Sequence, residues 1–181
     1  MLERDFLLTL EFDNEVVAYT TQPFSIKYSL DGGKRRYTPD ILAKYRDNSF
    51  KSFEVKPLIK FEKPQNKIKF LALRDFFLQK LDHPLVLMSC ADIYRGAQIE
   101  NLKRLYPFRQ QPIQVIEGSE SLEIPTLLTC GMLQELLVDV TDLPYQCAMQ
   151  FIAHQYFDWD VTKPLSNSTQ LIKIGEISCT L

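Results

Sequence analysis

Three side chains able to bind and use a divalent cation lie close together in the first third of the chain. They are Asp40, which follows a proline, and Glu54 and Lys56, which are one residue apart. Successive side chains of a strand point to opposite faces, so Glu54 and Lys56 share a face that Phe53 and Val55 do not. Mg²⁺ prefers carboxylate oxygens, and a lysine beside them can orient an attacking water. A metal site therefore forms if Asp40 lies next to Glu54 across a strand pair.

The segment from Arg35 to Pro57 predicts such a pair, with one strand over 35–45, a polar turn at 46–49 and a second strand over 52–57. Its order, Pro-Asp followed by Glu-x-Lys, is that of the PD-(D/E)xK arrangement of metal-dependent nucleases. Many chains contain these residues at this distance by chance. The pattern alone therefore does not distinguish a metal site from residues with a structural role. The neighbouring sequence has to distinguish them.

Composition narrows the class of protein. A chain of 181 residues fits one domain, or one domain with a small appendage. No apolar run approaches the length of a membrane span, and no signal peptide is visible, so we expect a cytoplasmic protein with no membrane partner. The four cysteines form no Cys-x-x-Cys pair and only two histidines are present, so we expect no zinc site.

Charge is distributed unevenly along the chain, although the net charge is only -2. Residues 1–116 carry 19 Lys and Arg against 14 Asp and Glu, whereas residues 117–181 carry 2 against 9. A basic zone around a carboxylate cluster suits a polyanionic substrate such as DNA, and a solvated lysine-rich surface is the alternative. The acidic C-terminal part is better suited to docking a protein. The residues predicted to grip the DNA backbone are Arg35, Arg36, Lys60 and Lys67.

Periodicity in the first part of the chain predicts a mixed sheet flanked by helices. A helix is expected over Leu2–Phe12 and strands over 16–23 and Phe24–Ser29, followed by the strand pair around Asp40. A further helix over Pro64–Leu81 precedes a buried strand over Leu85–Met88. The residues expected to point inward from this helix are Ile68, Leu71, Phe76, Phe77 and Leu81.

Glu3 lies on the first helix, on a face expected to turn inward. A carboxylate there is either favoured by the helix dipole or is a third acid aimed at the metal site. Spacing alone leaves both interpretations open.

The second part of the chain predicts a small winged-helix-like module. A helix is expected over Gln98–Tyr106, then helices over 130–138 and 143–157 and strands over 158–161 and 169–174. We place the domain boundary between residues 116 and 117, which gives an endonuclease domain over 1–116 and a C-terminal domain over 117–181. The predicted wing carries Asp158 and Asp160, where a DNA-reading wing would have Lys or Arg.

Taken together, these segments resemble TnsA, the endonuclease subunit of heteromeric Tn-seven-like transposases. A C-terminal block, 151–160 followed by 163–166, is similar to the winged-helix region of that family. The order and spacing of four further pieces carry most of the resemblance: Leu2–Asp13, Val17–Pro23, Arg36–Leu42 and Phe53–Pro57.

The resemblance implies a restriction-endonuclease-like fold in the bacterial cytoplasm, with a site that uses Mg²⁺ and accepts Mn²⁺ as a substitute. It favours the site role of Glu3, which would act with Asp40, Glu54 and Lys56. The Val55 carbonyl is a candidate extra metal ligand. The resemblance also implies nicking of the 5′ ends of a transposon beside a TnsB-like transposase, and contact of the C-terminal domain with a TnsC-like ATPase regulator.

Two alternatives remain at this point. A restriction enzyme or junction resolvase of the same fold would cut DNA without a partner transposase. A nuclease-like module that has lost activity would serve as an assembly adaptor, although such an adaptor would not need to keep Asp40, Glu54 and Lys56 together.

Overall fold

A computed structural model describes residues 2–112 and 123–174. The chain divides into two compact units, Met1–Tyr94 and Arg95–Leu181. The predicted domain boundary between residues 116 and 117 lies outside the described residues. The helix over Gln98–Arg109, which that boundary assigns to the nuclease domain, belongs to the second compact unit.

The first unit is built on a four-stranded mixed sheet with strand order β1-β4-β5-β6. Strand β4 pairs antiparallel with β1 on one side and with β5 on the other. Strand β6 pairs parallel with β5, and helical segments connect these two strands along the chain. The prediction of a mixed sheet with helices is confirmed. The elements are α1 (Leu2–Glu11), β1 (Val16–Thr21), β2 (Ile26–Leu30), β3 (Gly33–Tyr37), β4 (Ile41–Tyr45), β5 (Phe50–Val55), α2 (Leu58–Phe61), α3 (Pro64–Phe76), a π-helical turn (Phe77–Leu81), β6 (Leu85–Met88) and α4 (Cys90–Ile93).

The predicted single strand over 35–45 is two strands in two different sheets. Strand β3 ends at Tyr37 and pairs only with β2, whereas β4 begins at Ile41 and joins the four-stranded sheet. Pro39 lies at the break. Proline has no N–H to donate to a strand ladder, which favours a change of direction at this point.

The strand pair β4–β5 follows the predicted alternation. Ile41 and Ala43 are buried on β4, and Phe53 and Val55 are buried on β5. The register pairs Ile41 with Phe53. The ring of Phe53 also packs edge-on against Phe6 of α1, with 4.9 Å between ring centroids. The sheet face opposite to Glu54 thus forms the hydrophobic contact with the first helix.

The apolar face that helix α3 and the π-helical turn present to the core agrees with the prediction only in part. Leu73 and Phe77 are buried in a cluster with the β2–β3 hairpin, whereas Ile68 is 55% and Leu71 is 47% exposed. The prediction is confirmed for Phe77 and for Phe76 and Leu81, which pack against the same cluster, and it is wrong for Ile68 and Leu71. Both sets of residues have helical spacing, so periodicity could not choose between them. In the observed orientation of the helix, the ring of Phe77 packs against the ring of Tyr37, with 6.0 Å between ring centroids.

We expect Leu73→Ala to lower the free energy of unfolding by about 2–5 kcal/mol, because it leaves a cavity in a closed core. Leu71→Ala makes the same change on the same helix at an exposed position, and should change stability by about 0.5 kcal/mol. Urea unfolding of both variants measures the difference. Equal losses would contradict the orientation of α3 described above.

In residues 95–112 and 123–174, the second unit combines three helices with a three-stranded antiparallel sheet of strand order β7-β9-β8. The predicted pairing of the last two strands is confirmed, but the predicted strand over 158–161 is reduced to Phe157–Asp158. Strand β7 was not predicted because it has only three residues. The elements are α5 (Gln98–Arg109), β7 (Leu127–Thr129), α6 (Cys130–Leu137), α7 (Pro144–Ala153), β8 (Phe157–Asp158) and β9 (Gln170–Lys173).

The connection between β8 and β9 is fixed to helix α5 by one buried amide. Asn101 Nδ2 donates to the carbonyl oxygens of Val161 and Lys163, both at 2.7 Å, and Asn101 Oδ1 accepts from the Leu165 N–H at 3.0 Å. At Gly96, a Cβ would lie 2.2 Å from the Thr162 carbonyl oxygen, and φ is +54°, so glycine is required there. These contacts make α5 an integral part of the second unit.

Within residues 2–112 and 123–174, every helix is too short or too polar to cross a bilayer.

Candidate active site

The strand pair β4–β5 places two carboxylates side by side. Asp40 immediately precedes β4, and its N–H donates to the Phe53 carbonyl at 3.0 Å, which extends the antiparallel register by one residue. Asp40 therefore lies beside Glu54, the neighbour of Phe53 on β5. Burial raises the pKa of Asp40, and the negative charge of Glu54 adds to this effect, as expected for two acids at close range.

Hydrogen bonds fix both oxygens of the Glu54 carboxylate. The Tyr37 hydroxyl donates to Oε2 at 2.7 Å, and Lys56 Nζ donates to Oε1 at 2.7 Å. The side chains of Glu54 and Lys56 are 15% and 29% exposed, so this ion pair is partly shielded from solvent. The carboxylate is thus held in one orientation from two sides.

Tyr37 is a site residue that sequence reasoning missed. It is buried at the end of β3, and burial raises the pKa of its hydroxyl, with the charge of Glu54 adding to the effect. The hydroxyl therefore stays protonated and acts as a donor. Its place three residues before Asp40 was visible in the sequence, but the fact that β3 leaves the main sheet was not.

Asp40 is held by backbone groups on both sides. Its Oδ2 accepts from the Val55 N–H at 2.7 Å, and its carbonyl accepts from the Gln22 N–H at 2.8 Å. Gln22 adopts the left-handed conformation, with φ at 47°, at the end of β1. The pKa of Asp40 is raised to about 6, mainly by burial, and the charges of Glu54 and Glu3 raise it further. The hydrogen bond from Val55 and the charge of Lys56 lower the pKa and only partly offset this rise.

This raised pKa predicts that Asp40 reduces stability near neutral pH in the absence of metal. The folded state binds the Asp40 proton more tightly than the unfolded state does. The ionised carboxyl therefore lowers the free energy of unfolding, fully above about pH 6 and not at all below about pH 4. Asp40→Asn cannot ionise and should raise the free energy of unfolding near neutral pH by about 1 kcal/mol, a value reduced for partial solvent exposure.

Urea unfolding of the wild type and of Asp40→Asn in EDTA, at about pH 4.5 and about pH 7.5, measures this effect. The stability difference should shrink at the lower pH, where the wild-type carboxyl gains its proton. Equal differences at both pH values would show that Asp40 titrates as in the unfolded chain.

Glu3 lies in the first turn of α1 and is exposed, so the prediction that it turns inward is wrong. It is near enough for its charge to raise the pKa of Asp40. In the part of the chain that the structure describes, however, no three or more His, Cys, Asp or Glu side chains converge on one metal position. The structure therefore brings Asp40, Glu54 and Lys56 together, and leaves Glu3 near them without completing a three-acid cluster.

The predicted DNA-gripping residues are exposed, at Arg35 and Arg36 on β3, Lys60 on α2 and Lys67 on α3. Neither Lys60 nor Lys67 lines the pocket at the site. Lys69 does, and its Nζ lies 5.4 Å from the centre of the Tyr37 ring. The pocket is lined by Tyr37, Glu54, Lys56, Phe61, Asn66, Lys69, Phe70 and Leu73.

The donor set fits a magnesium ion. Mg²⁺ commonly binds proteins through one or two carboxylates while it keeps several water ligands, so Asp40 and Glu54 suffice. The raised pKa of Asp40 also agrees, because burial and the neighbouring charges of Glu54 and Glu3 disfavour its ionised form and a bound cation would favour it. Val55, whose N–H donates to Asp40, lies between Glu54 and Lys56 in the sequence.

A mixed sheet with flanking helices, with Asp and Glu-x-Lys on two adjacent strands, fits a restriction-endonuclease-like fold. Residues 13–83 match the family model described as TnsA-like endonuclease N terminal. The resemblance to TnsA is confirmed over this region, which contains Asp40, Glu54 and Lys56. The match begins after Glu3. In the comparison with curated proteins, no protein matched the chain.

Proposed function

We propose that the chain is the metal-dependent DNA endonuclease subunit of a transposase and hydrolyses phosphodiester bonds at the 5′ ends of the transposon. One observation carries this proposal. In a TnsA-like nuclease domain, Asp40 lies beside Glu54, whose carboxylate is paired with Lys56 at 2.7 Å. A structural ion pair alone would not require a second carboxylate with a raised pKa at the same place.

Asp40 and Glu54 are the side chains that would hold Mg²⁺, or Mn²⁺ as a substitute, with the Val55 carbonyl as a further oxygen ligand. Glu3, whose charge acts on Asp40, positions the site from the first turn of α1. When bound, the cation lowers the pKa of a water and stabilises the leaving oxygen. Tyr37 contributes by fixing Glu54 through its hydrogen bond to Oε2.

Lys56 has two roles in this mechanism. Its ammonium group lies on the carboxylate face, held at 2.7 Å from Glu54 Oε1, and is 29% exposed. From this position it orients the attacking water and offsets the negative charge that develops on the phosphate. Arg35, Arg36, Lys60 and Lys67 grip the DNA backbone on the surrounding surface.

The second unit serves as a winged-helix-like module that binds a TnsC-like ATPase regulator. Its order of helix, strand, two helices and two strands, with the first strand paired to the last, supports a winged-helix arrangement. In DNA-binding helix-turn-helix proteins the second helix of the motif enters the major groove. Here that helix is α7, and its residues from Cys147 to Ala153 are buried. Asp158 and Asp160 are exposed near the wing. These features favour a protein partner over DNA.

The direct test is cleavage of a plasmid that carries the matching transposon, with and without its TnsB-like transposase. We expect Mg²⁺-dependent nicks at the 5′ ends only when both proteins are present. Cleavage by the chain alone would support a restriction-like enzyme or resolvase instead. Absence of 5′ nicks with both proteins present would support the inactive adaptor.

Calorimetry separates an enzyme from an adaptor without relying on cleavage. Titration of the wild type with MgCl₂ should give binding heat, and Glu54→Ala should lose it because one of two carboxylates is removed. Glu62→Ala, which removes an exposed carboxylate outside the site, is the matched control. A wild-type protein that gives no heat would favour the adaptor.

A further inference from the structure

We propose that the β2–β3 hairpin is a phosphate-binding ribbon, with Lys27, Lys34 and Arg36 contacting the backbone of the duplex beside the active site. The inference rests on the proposed function, because it takes duplex DNA as the substrate. It adds Lys27 and Lys34, which sequence analysis did not single out. It also places these three cations on one face of the β2–β3 hairpin. We call this hairpin the basic ribbon.

The register of the hairpin places these cations on the same face. Lys27 pairs with Arg36, and Ser29 pairs with Lys34. All four residues are exposed. The opposite face carries Ile26, Tyr28 and Tyr37, which are buried in the core cluster with Leu73 and Phe77, and Arg35, which pairs with Tyr28 and is exposed. One face of the basic ribbon is therefore anchored in the protein, and the other is a cationic surface.

This arrangement costs folding energy, because like charges directly opposite one another in a strand pair repel. Lys27 and Arg36 are such a pair. Among the described residues, no carboxylate forms an ion pair with Lys27, Lys34 or Arg36. A repulsive cluster without a local counter-charge is suited to an external polyanion, whose binding releases counterions.

The basic ribbon is joined directly to the active site. Arg36 Nη2 donates to Ser25 Oγ at 3.0 Å, and Ser25 Oγ lies 2.5 Å from Thr38 Oγ1, two residues before Asp40. The guanidinium is thus directed toward the end of the hairpin from which the chain enters β4. The next residue, Tyr37, points to the other face and donates to Glu54. DNA held by Arg36 would lie next to the element that orients the Glu54 carboxylate.

The spacing of the cations matches a DNA strand. Arg36 and Lys34 are two residues apart on β3, which corresponds to roughly 7 Å along an extended strand. Phosphates of one DNA strand follow one another at roughly 3.4 Å along the duplex axis, so two steps cover the same length. Lys27, opposite Arg36, widens the surface across the hairpin. An acidic segment of a protein is the competing ligand, and the test below includes it.

The test measures duplex binding by the full chain in EDTA, so that cleavage does not interfere, over about 50 to 200 mM salt. Lys27→Gln/Lys34→Gln is compared with Lys80→Gln/Lys163→Gln, which removes the same charge from exposed positions outside the basic ribbon. We expect the ribbon variant to reduce the slope of log K against log salt by about 1.8, or about 0.9 for each lost phosphate contact. The control should keep the wild-type slope.

Thermal unfolding checks the fold of the ribbon variant, which should melt at or above the wild-type temperature because a repulsive pair has been relieved. Equal salt slopes for the two double variants would overturn the proposal, as would a wild type that does not bind duplex. Tighter binding of poly-glutamate than of duplex, lost in the ribbon variant, would assign the surface to an acidic protein instead.

The basic ribbon and the nuclease activity can fail separately. Transposase-dependent nicking with an unaltered salt slope in the ribbon variant would overturn the ribbon and leave the nuclease. A reduced salt slope without nicking by the wild type would overturn the nuclease and leave a DNA-binding ribbon.

Discussion

We expect Asp40→Asn to abolish the proposed Mg²⁺-dependent nicking, with a loss of about 10³-fold in rate, while the protein remains folded. The amide removes the negative charge from one of the two groups that would hold the cation. It keeps an oxygen that can accept the Val55 N–H, now bound to Asp40 Oδ2 at 2.7 Å. Single-turnover nicking of the transposon-bearing plasmid in the presence of the transposase measures the loss.

The matched control is Asp75→Asn, which makes the same chemical change on the exposed side of α3. It should nick at the wild-type rate. Asp40→Ala should lose activity equally, but it also leaves the N–H of buried Val55 without its acceptor, so the asparagine variant is the cleaner comparison. Undiminished cleavage by Asp40→Asn would refute the catalytic assignment.

Lys56→Ala gives the second large effect, a loss of about 10²- to 10³-fold in the nicking rate. Unlike Asp40→Asn, it removes no metal ligand. Heat of Mg²⁺ binding should therefore persist while cleavage is lost. This split separates a lysine that acts on water and phosphate from one that only pairs with Glu54.

Lys80→Ala, which removes an exposed ammonium at the end of the π-helical turn, serves as the control for net charge. The assignment of Lys56 fails if Lys56→Ala and Lys80→Ala nick at the same rate. Loss of magnesium binding heat in Lys56→Ala would instead indicate that the lysine only organises Glu54.

The core of the candidate site was predictable because it depends on local geometry. A strand alternates its side chains between two faces, and a short polar turn brings consecutive strands together. These two rules place Asp40 beside Glu54 and keep Glu54 and Lys56 on one face, as the register shows. They require no knowledge of distant parts of the chain.

The remaining features depend on tertiary contacts, which the sequence pattern does not reveal. Both faces of α3 carry apolar residues at helical spacing, and packing against the β2–β3 hairpin selects Leu73 over Leu71. Tyr37 reaches Glu54 because the chain changes sheets between β3 and β4. Because we predicted one continuous strand across Pro39, the hydrogen bond from Tyr37 to Glu54 was not predicted.

In the second unit, too, tertiary contacts decide a feature that the sequence pattern does not reveal. Its helices were visible from periodicity, but the membership of α5 follows from Asn101, which binds a loop some sixty residues later. Sequence composition placed the boundary after the basic residues, whereas contacts place α5 with the C-terminal helices. Charge and packing therefore divide this chain at different positions.

The turn between β4 and β5 has a consequence for how the protein folds. Local pairings form quickly, because little chain entropy is lost in closing a short loop, whereas a parallel pairing must wait for its connecting helices. Asp40 and Glu54 are joined by the short loop, and β6 joins only after α2 and α3. On the ribosome, we expect the two acids to become neighbours before β6 has been synthesised.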